Sequence, residues 1–146
     1  MRERLEQAES EIEDAERQSE QIEQRREEIE QAIREIESAI QSLESRGDSE
    51  VAASLQKNLQ EKQQEKEQQK QRADQVAQQL DQVSSEIQEV QRMNEQSKAE
   101  LSALGSMGEN VSEAQSIVEE RDGWAQREEQ ECLRLKQRLA QLGSSG

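Results

Sequence analysis

The feature that most constrains this chain is a heptad repeat of apolar residues that begins at Leu5 and continues to Leu43. These residues recur at alternating steps of three and four, the spacing that forms the seam of a coiled coil. Only Ser19 and Arg26 interrupt the apolar pattern. The pattern predicts one long helix whose apolar stripe must be covered by another helix. The a and d positions are, in order, Leu5, Ala8, Ile12, Ala15, Ser19, Ile22, Arg26, Ile29, Ile33, Ile36, Ile40 and Leu43.

The composition excludes a wide globular core. Hydrophobic residues make up 29% of the chain, which has one Trp and neither Phe nor Tyr. Charged residues make up 36%, and Pro, which breaks the interior turns of helices, is absent. Because the apolar residues keep a helical period, the composition indicates long helices rather than disorder.

Two glycine-containing segments divide the chain, and Gly47 marks the first of them. Gly is the usual residue just past a helix end, and Asp48 or Ser49 can cap a following helix. A second apolar seam from Ala52 to Leu104 is out of phase with the first by five residues, which favours a break over one continuous helix. We therefore predict helices over residues 1–46 and 50–105, joined by a turn.

A third helix is predicted over residues 109–142, after the glycines of the segment 105–108. Asn110 and Glu113 have the spacing of a capping box, with Asn in place of Ser or Thr. Gly123 leaves open whether this helix is continuous, because glycine costs about 1 kcal/mol inside a helix. Residues 143–146 are predicted to form a flexible tail.

The predicted fold class is all-α: a long antiparallel coiled-coil hairpin with a shorter third helix, an up-down-up three-helix rod. At 1.5 Å per residue the three helices extend roughly 70, 80 and 50 Å. The third is too short to cover the whole hairpin. We expect one elongated domain, with a three-helix base and a two-helix projection that ends at Gly47.

The projection carries all but one of the candidate partner-binding residues. Ala32 and Ala39, at position g, widen the apolar stripe, and a stripe wider than a and d suits more than two helices. Trp124 lies beside the third seam and either packs there or anchors a partner. The full candidate set is Ile29, Ala32, Ile33, Ile36, Ala39, Ile40 and Trp124.

Every e position of the first helix is a glutamate. This acidic ridge consists of Glu9, Glu16, Glu23, Glu30, Glu37 and Glu44. Only two of the corresponding positions on the second helix are basic. The ridge is either a docking surface for a basic helix or the solvated face of a soluble rod; exposed ion pairs contribute only about 0–1 kcal/mol each.

The sequence offers no catalytic site, metal site or cofactor site. His is absent, and Cys132 lies on an apolar seam without a His partner, which favours a buried inert thiol. The Arg46-Gly47-Asp48 tripeptide matches a cell-adhesion motif, but a helix-to-helix turn needs the same residues. We predict that the protein is not an enzyme.

The charge and hydropathy limit the partners and the location. A net charge of −15 disfavours nucleic acid, and no apolar run approaches the roughly 20 residues that span a bilayer. The N-terminus lacks the apolar stretch of a signal peptide. A soluble cytoplasmic protein is expected, although a fragment of a larger protein has the same appearance.

The leading functional hypothesis is a coiled-coil scaffold or adaptor that self-associates, for example as a homodimer, or docks a helical protein partner. One alternative is a helical accessory protein that solubilises or escorts a partner, such as a secretion-associated protein. Another is a fragment of a longer structural coiled coil that acts as a spacer. A fourth is an inhibitor whose acidic surface mimics nucleic acid.

Overall fold

The computed structural model describes residues 2–144 and contains three α-helices and no strand in that range. Helix α1 spans Arg2–Arg46, α2 spans Ser49–Ser106 and α3 spans Ser112–Ser144. All three helices pack against one another. The predicted all-α fold with three packed helices is confirmed.

The turn between α1 and α2 is closed by backbone hydrogen bonds around Gly47. This glycine has φ +81°, in the left-handed region that glycine adopts without steric cost. Its N–H donates to the carbonyl of Glu44 (3.1 Å), and the N–H of Asp48 donates to the carbonyl of Leu43 (3.0 Å). These two bonds form a Schellman motif. The side chain of Asp48 makes no capping hydrogen bond, so the backbone alone forms this turn.

The turn after α2 repeats this motif around Gly108, which has φ +88°. The N–H of Gly108 donates to the carbonyl of Gly105, and the N–H of Glu109 donates to the carbonyl of Leu104, each at 3.1 Å. The two glycines that the sequence places at helix ends thus have the same structural role.

Helix α3 begins at Ser112, three residues later than predicted, because Asn110 folds the chain before the helix starts. The Asn110 Oδ1 accepts hydrogen bonds from the Ser112 N–H (3.3 Å) and hydroxyl (2.9 Å). The carbonyl of Val111 accepts the first helical bond, from the N–H of Gln115 at 2.9 Å. Asn110 is therefore one residue outside the cap position, and it bonds Ser112 rather than Glu113 as a capping box requires.

The same helix is continuous through Gly123 and extends to Ser144. Gly143 and Ser144 are helical, so α3 ends two residues later than the predicted end at residue 142. Residues 145 and 146 of the predicted tail lie outside the described range. The guanidinium of Arg26 donates to the carbonyl of Leu142 at 2.7 Å. This bond satisfies one of the carbonyls that a helix end leaves without a partner.

The apolar core lies in the part of the rod where all three helices run side by side. Its members come from the first half of α1, the second half of α2 and α3. The core consists of Leu5, Ala8, Ile12, Ala15, Ile22, Ala73, Val76, Leu80, Val83, Ile87, Val90, Ala125, Cys132, Leu135 and Leu139. We call this part the base.

Beyond Arg26, α1 and α2 continue as a pair without α3. We call this part, residues 27–68, the distal hairpin; its α1 segment is about 30 Å long at 1.5 Å per residue. Ile29 and Ile40 are buried there, whereas Leu55 and Leu59 on α2 are only partly buried. Two helices cover each other's seams less completely than three do.

Candidate helix-docking surface

Trp124 holds α3 to α1 inside the base. Its ring is partly buried and packs against the apolar core, and its Nε1–H donates to Glu9 Oε2 at 3.2 Å. An indole commonly presents an apolar ring and one hydrogen-bond donor in this way. The structure thus places Trp124 far along the rod from the six other candidate residues, all of which lie on the distal part of α1.

Two arginines of α3 bind the next two glutamates of the acidic ridge. Arg134 pairs with Glu16 at 3.1 Å, and Arg138 pairs with Glu23. Hydrogen bonds to Glu131 of its own helix and to Glu16 raise the pKa of Arg134. The sequence reasoning compared the ridge only with α2 and missed these arginines. Their positions beside the α3 seam were the available signal.

Arg26 marks the boundary between the base and the distal hairpin. Its side chain is only 10% exposed, and its Nε donates to Glu30 Oε1 at 3.2 Å. Lys66 of α2 also approaches Glu30, at 3.6 Å. Together with its bond to the Leu142 carbonyl, Arg26 joins α1 to the end of α3. A buried charge with several partners avoids the large cost of burying a charge alone.

The last two glutamates of the ridge are exposed. Within residues 2–144, the side chains of Glu37 and Glu44 make no hydrogen bond or ion pair. The ridge therefore divides at Arg26: the first three carboxylates bind α3, Glu30 is paired within the hairpin, and the last two face solvent.

The distal candidate residues lie on two sides of the α1 seam. Ile33 and Ile36, at the seam itself, are partly buried, and so are Ala32 and Ala39 at position g. In a heptad, positions e and g flank opposite sides of the seam. Since α3 binds the e side, the two alanines face the opposite groove of the hairpin.

A cleft of about 290 Å³ opens where α3 ends. Its apolar lining consists of Ile22, Ile33 and Leu142, and the side-chain oxygen of Gln69, which also borders it, is buried without a donor among the described residues. The remaining lining residues are Arg26, Glu37, Gln63, Lys66, Glu67 and Lys70. The cleft is the first open part of the groove that α3 fills in the base.

Cys132 is fully buried in the base, where its thiol donates to the carbonyl of Leu80 at 3.1 Å. Burial raises the pKa of this thiol to about 11. Because the thiolate is the nucleophile, such a cysteine is unreactive at neutral pH. Within residues 2–144, no cluster of three or more Cys, Asp or Glu side chains is placed to hold a metal ion.

Comparison with known proteins identifies no family: the chain matches no protein-family model, no curated protein and no solved structure. None of the helices described between residues 2 and 144 has an apolar stretch as long as a membrane span requires.

Proposed function

We propose that this protein is a non-enzymatic helical scaffold or adaptor that docks a helical protein partner, a second copy or another protein, on its distal hairpin. The observation that carries the proposal is the incomplete burial of the distal seam: Ile33 and Ile36 are only partly buried, and no third helix among residues 2–144 lies beside them. The distal hairpin therefore presents an apolar seam that its two helices do not fully cover.

The base supports this proposal because it shows what a third helix does to the same seam. Leu5, Ile12 and Ile22 of α1 are almost completely buried in the base. Ile33 and Ile36 continue the same heptads and are only partly buried. Burial of apolar area contributes roughly 25 cal/mol per Å². A partner helix that covers the exposed parts of Ile33 and Ile36 therefore stabilises the complex.

The experiment compares Ile33→Asp/Ile36→Asp with Leu133→Asp. Leu133 is 49% exposed on α3, so its substitution adds a charge outside the distal hairpin. Sedimentation velocity reports self-association, and a partner identified by affinity purification is tested again with both proteins purified. The proposal predicts a defined complex that the distal substitutions abolish and Leu133→Asp preserves.

Circular dichroism must show that all variants keep the helix content of the unmodified protein. A complex that survives the distal substitutions, or that Leu133→Asp weakens equally, contradicts the proposal. Absence of any complex across the concentration range and partner search also contradicts it.

A further inference from the structure

We propose that the distal groove receives a basic amphipathic helix of another protein, laid end to end with α3. This inference depends on the proposed function and names the chemistry of the partner. It follows from the way in which the chain's own third helix occupies the same groove one section earlier.

The base shows which groups each edge of the groove accepts. On the α1 edge, the glutamates bind the arginines of α3 and the Trp124 N–H. On the α2 edge, the Ser84 hydroxyl donates to Glu129 at 3.0 Å, and Lys98 pairs with Asp122 at 2.9 Å. The helix in the groove thus carries donors toward α1 and carboxylates toward Ser84 and Lys98, and one lysine of α3, Lys136, pairs with Asp81 of α2 at 2.6 Å.

The heptad continues these edges beyond the end of α3. Steps of seven lead along α1 to Glu37 and Glu44, which are exposed and have no partner in the described chain. The same steps lead along α2 to Lys70 and Gln63, which border the open cleft. A matching helix carries cations seven residues apart on one edge and a carboxylate or amide on the other, with an apolar stripe over Ile33 between them.

The cleft at the end of α3 supplies a second, independent observation. The buried oxygen of Gln69 has no donor among the described residues, and a buried acceptor without a donor costs about 1–3 kcal/mol. Gln69 itself is partly buried and lines the cleft, and a donor of the partner that reaches this oxygen would satisfy it. The apolar side chains of Ile22, Ile33 and Leu142 leave room in the cleft for an apolar side chain of the partner.

Charge argues against a second copy as the occupant. Residues 27–68 contain 11 acidic and five basic residues, a net charge of −6 for the distal hairpin. Two such hairpins bring like charges together, whereas a basic helix meets the opposite charge. Electrostatic complementarity of this kind selects partners and sets the register of binding.

The probe is a fluorescein-labelled synthetic 21-residue helix with Leu at positions a and d, Arg at one flanking position of each heptad and Glu at the other. A control peptide of the same composition has its arginines on the outer face. Fluorescence anisotropy measures the binding of both to the full-length protein. We expect the probe to bind at least tenfold more tightly than the control. The arginines of the probe can pair with Glu37 and Glu44 in register, whereas those of the control are attracted to the acidic rod only diffusely.

The protein variants locate the contact. Glu37→Gln/Glu44→Gln should weaken probe binding about threefold to tenfold and reduce its salt dependence. The matched pair Glu20→Gln/Glu27→Gln removes two exposed glutamates that are also seven residues apart but lie on the outer face of α1. This control should change binding less than about twofold.

Three results separate the failure of this inference from the failure of the proposed function. Equal binding of both peptides, or equal losses in both glutamine pairs, means diffuse attraction to an acidic rod and overturns the inference. A dimer that Ile33→Asp/Ile36→Asp dissociates, with no probe binding, makes a second copy the occupant and leaves the proposed function standing. No probe binding and no complex that depends on the distal hairpin overturns both.

Discussion

The base and the distal hairpin are built from the same two helices and the same heptad register, yet they differ in burial. In the base, Leu80 at an a position of α2 is fully buried. Three heptads earlier, Leu59 occupies the same position and is only partly buried. The residue type and register are identical, so the difference comes from the surroundings of each leucine: Leu80 belongs to the core that α3 helps to form, whereas no third helix of the described chain lies beside Leu59. This difference makes the two regions a matched pair for mutation.

Leu80→Ala and Leu59→Ala give the largest expected contrast. Leu80→Ala should lower the free energy of unfolding by about 3 kcal/mol, because it leaves a cavity among three helices. Leu59→Ala should cost about 1 kcal/mol, because water already reaches part of this side chain. Urea denaturation followed by circular dichroism measures both. Equal losses would show that the two regions are packed alike.

Thiol chemistry gives the second contrast. With the pKa of Cys132 near 11, about 100-fold less thiolate is present at pH 8 than for a thiol of pKa 9, and reaction with a disulfide reagent should slow at least as much. In a Cys132→Ser background, a cysteine at Ile33 (Ile33→Cys) should react within about tenfold of a free thiol. Similar rates at the two sites would contradict the difference in burial.

The same thiol predicts a pH dependence. Its pKa is higher in the folded state than in the unfolded state, so the protonated form contributes stability that is fully present below about pH 9. This contribution is lost as pH rises from about 9 to 11. The free energy of unfolding of the unmodified protein should therefore fall more steeply over this range than that of Cys132→Ser. Parallel pH profiles of the two proteins would show that the Cys132 thiol is not buried in the base.

Polar residues on the seam give a third test within the base. Asn94 is fully buried, and neither of its side-chain amide atoms has a partner among the described residues. Asn94→Leu should raise the free energy of unfolding by about 1–2 kcal/mol. Ser19, whose hydroxyl donates to the Ala15 carbonyl at 2.8 Å, is the control, and Ser19→Ala should change stability by less than about 0.5 kcal/mol. A loss of stability in Asn94→Leu would mean that the amide is satisfied.

Two glycines give the smallest contrast, with opposite signs. Gly123 is helical in the base, and an added Cβ would meet only the end of the Arg127 side chain at 3.6 Å. Gly123→Ala should therefore stabilise the fold by about 0.5–1 kcal/mol. Gly47, at the tip of the distal hairpin, has φ +81°, and Gly47→Ala should cost about 1 kcal/mol. Thermal unfolding of both variants measures the signs; a loss in Gly123→Ala would place a break in α3.

The sequence pattern predicts the helices and turns because each depends on local rules. The seam from Leu5 to Leu43 has a clear period, and Gly47 and Gly108 take the positive φ that ends a helix. The start of α3 was less predictable, because Asn110 can bond either Ser112 or Glu113 from nearly the same position.

The contacts of the acidic ridge were not predictable in the same way. The pairing of Arg138 with Glu23 depends on how α3 is placed along α1, and many registers preserve the apolar seam. The burial of Ile29 and Ile40, which the sequence grouped with the partner-binding residues, also depends on how closely α2 approaches. Local periodicity fixes which face of a helix is apolar, whereas relative placement comes from three helices packing together.

The most direct test is hydrogen exchange of the free protein, read by mass spectrometry on peptides from both regions. If α3 covers only the base, amides between residues 28 and 44 and between 52 and 68 should exchange through local opening at least tenfold faster than those around Ile12, Leu80 and Leu135. Equal protection along the whole of α1 and α2 would contradict the division of the molecule into a three-helix base and a two-helix projection.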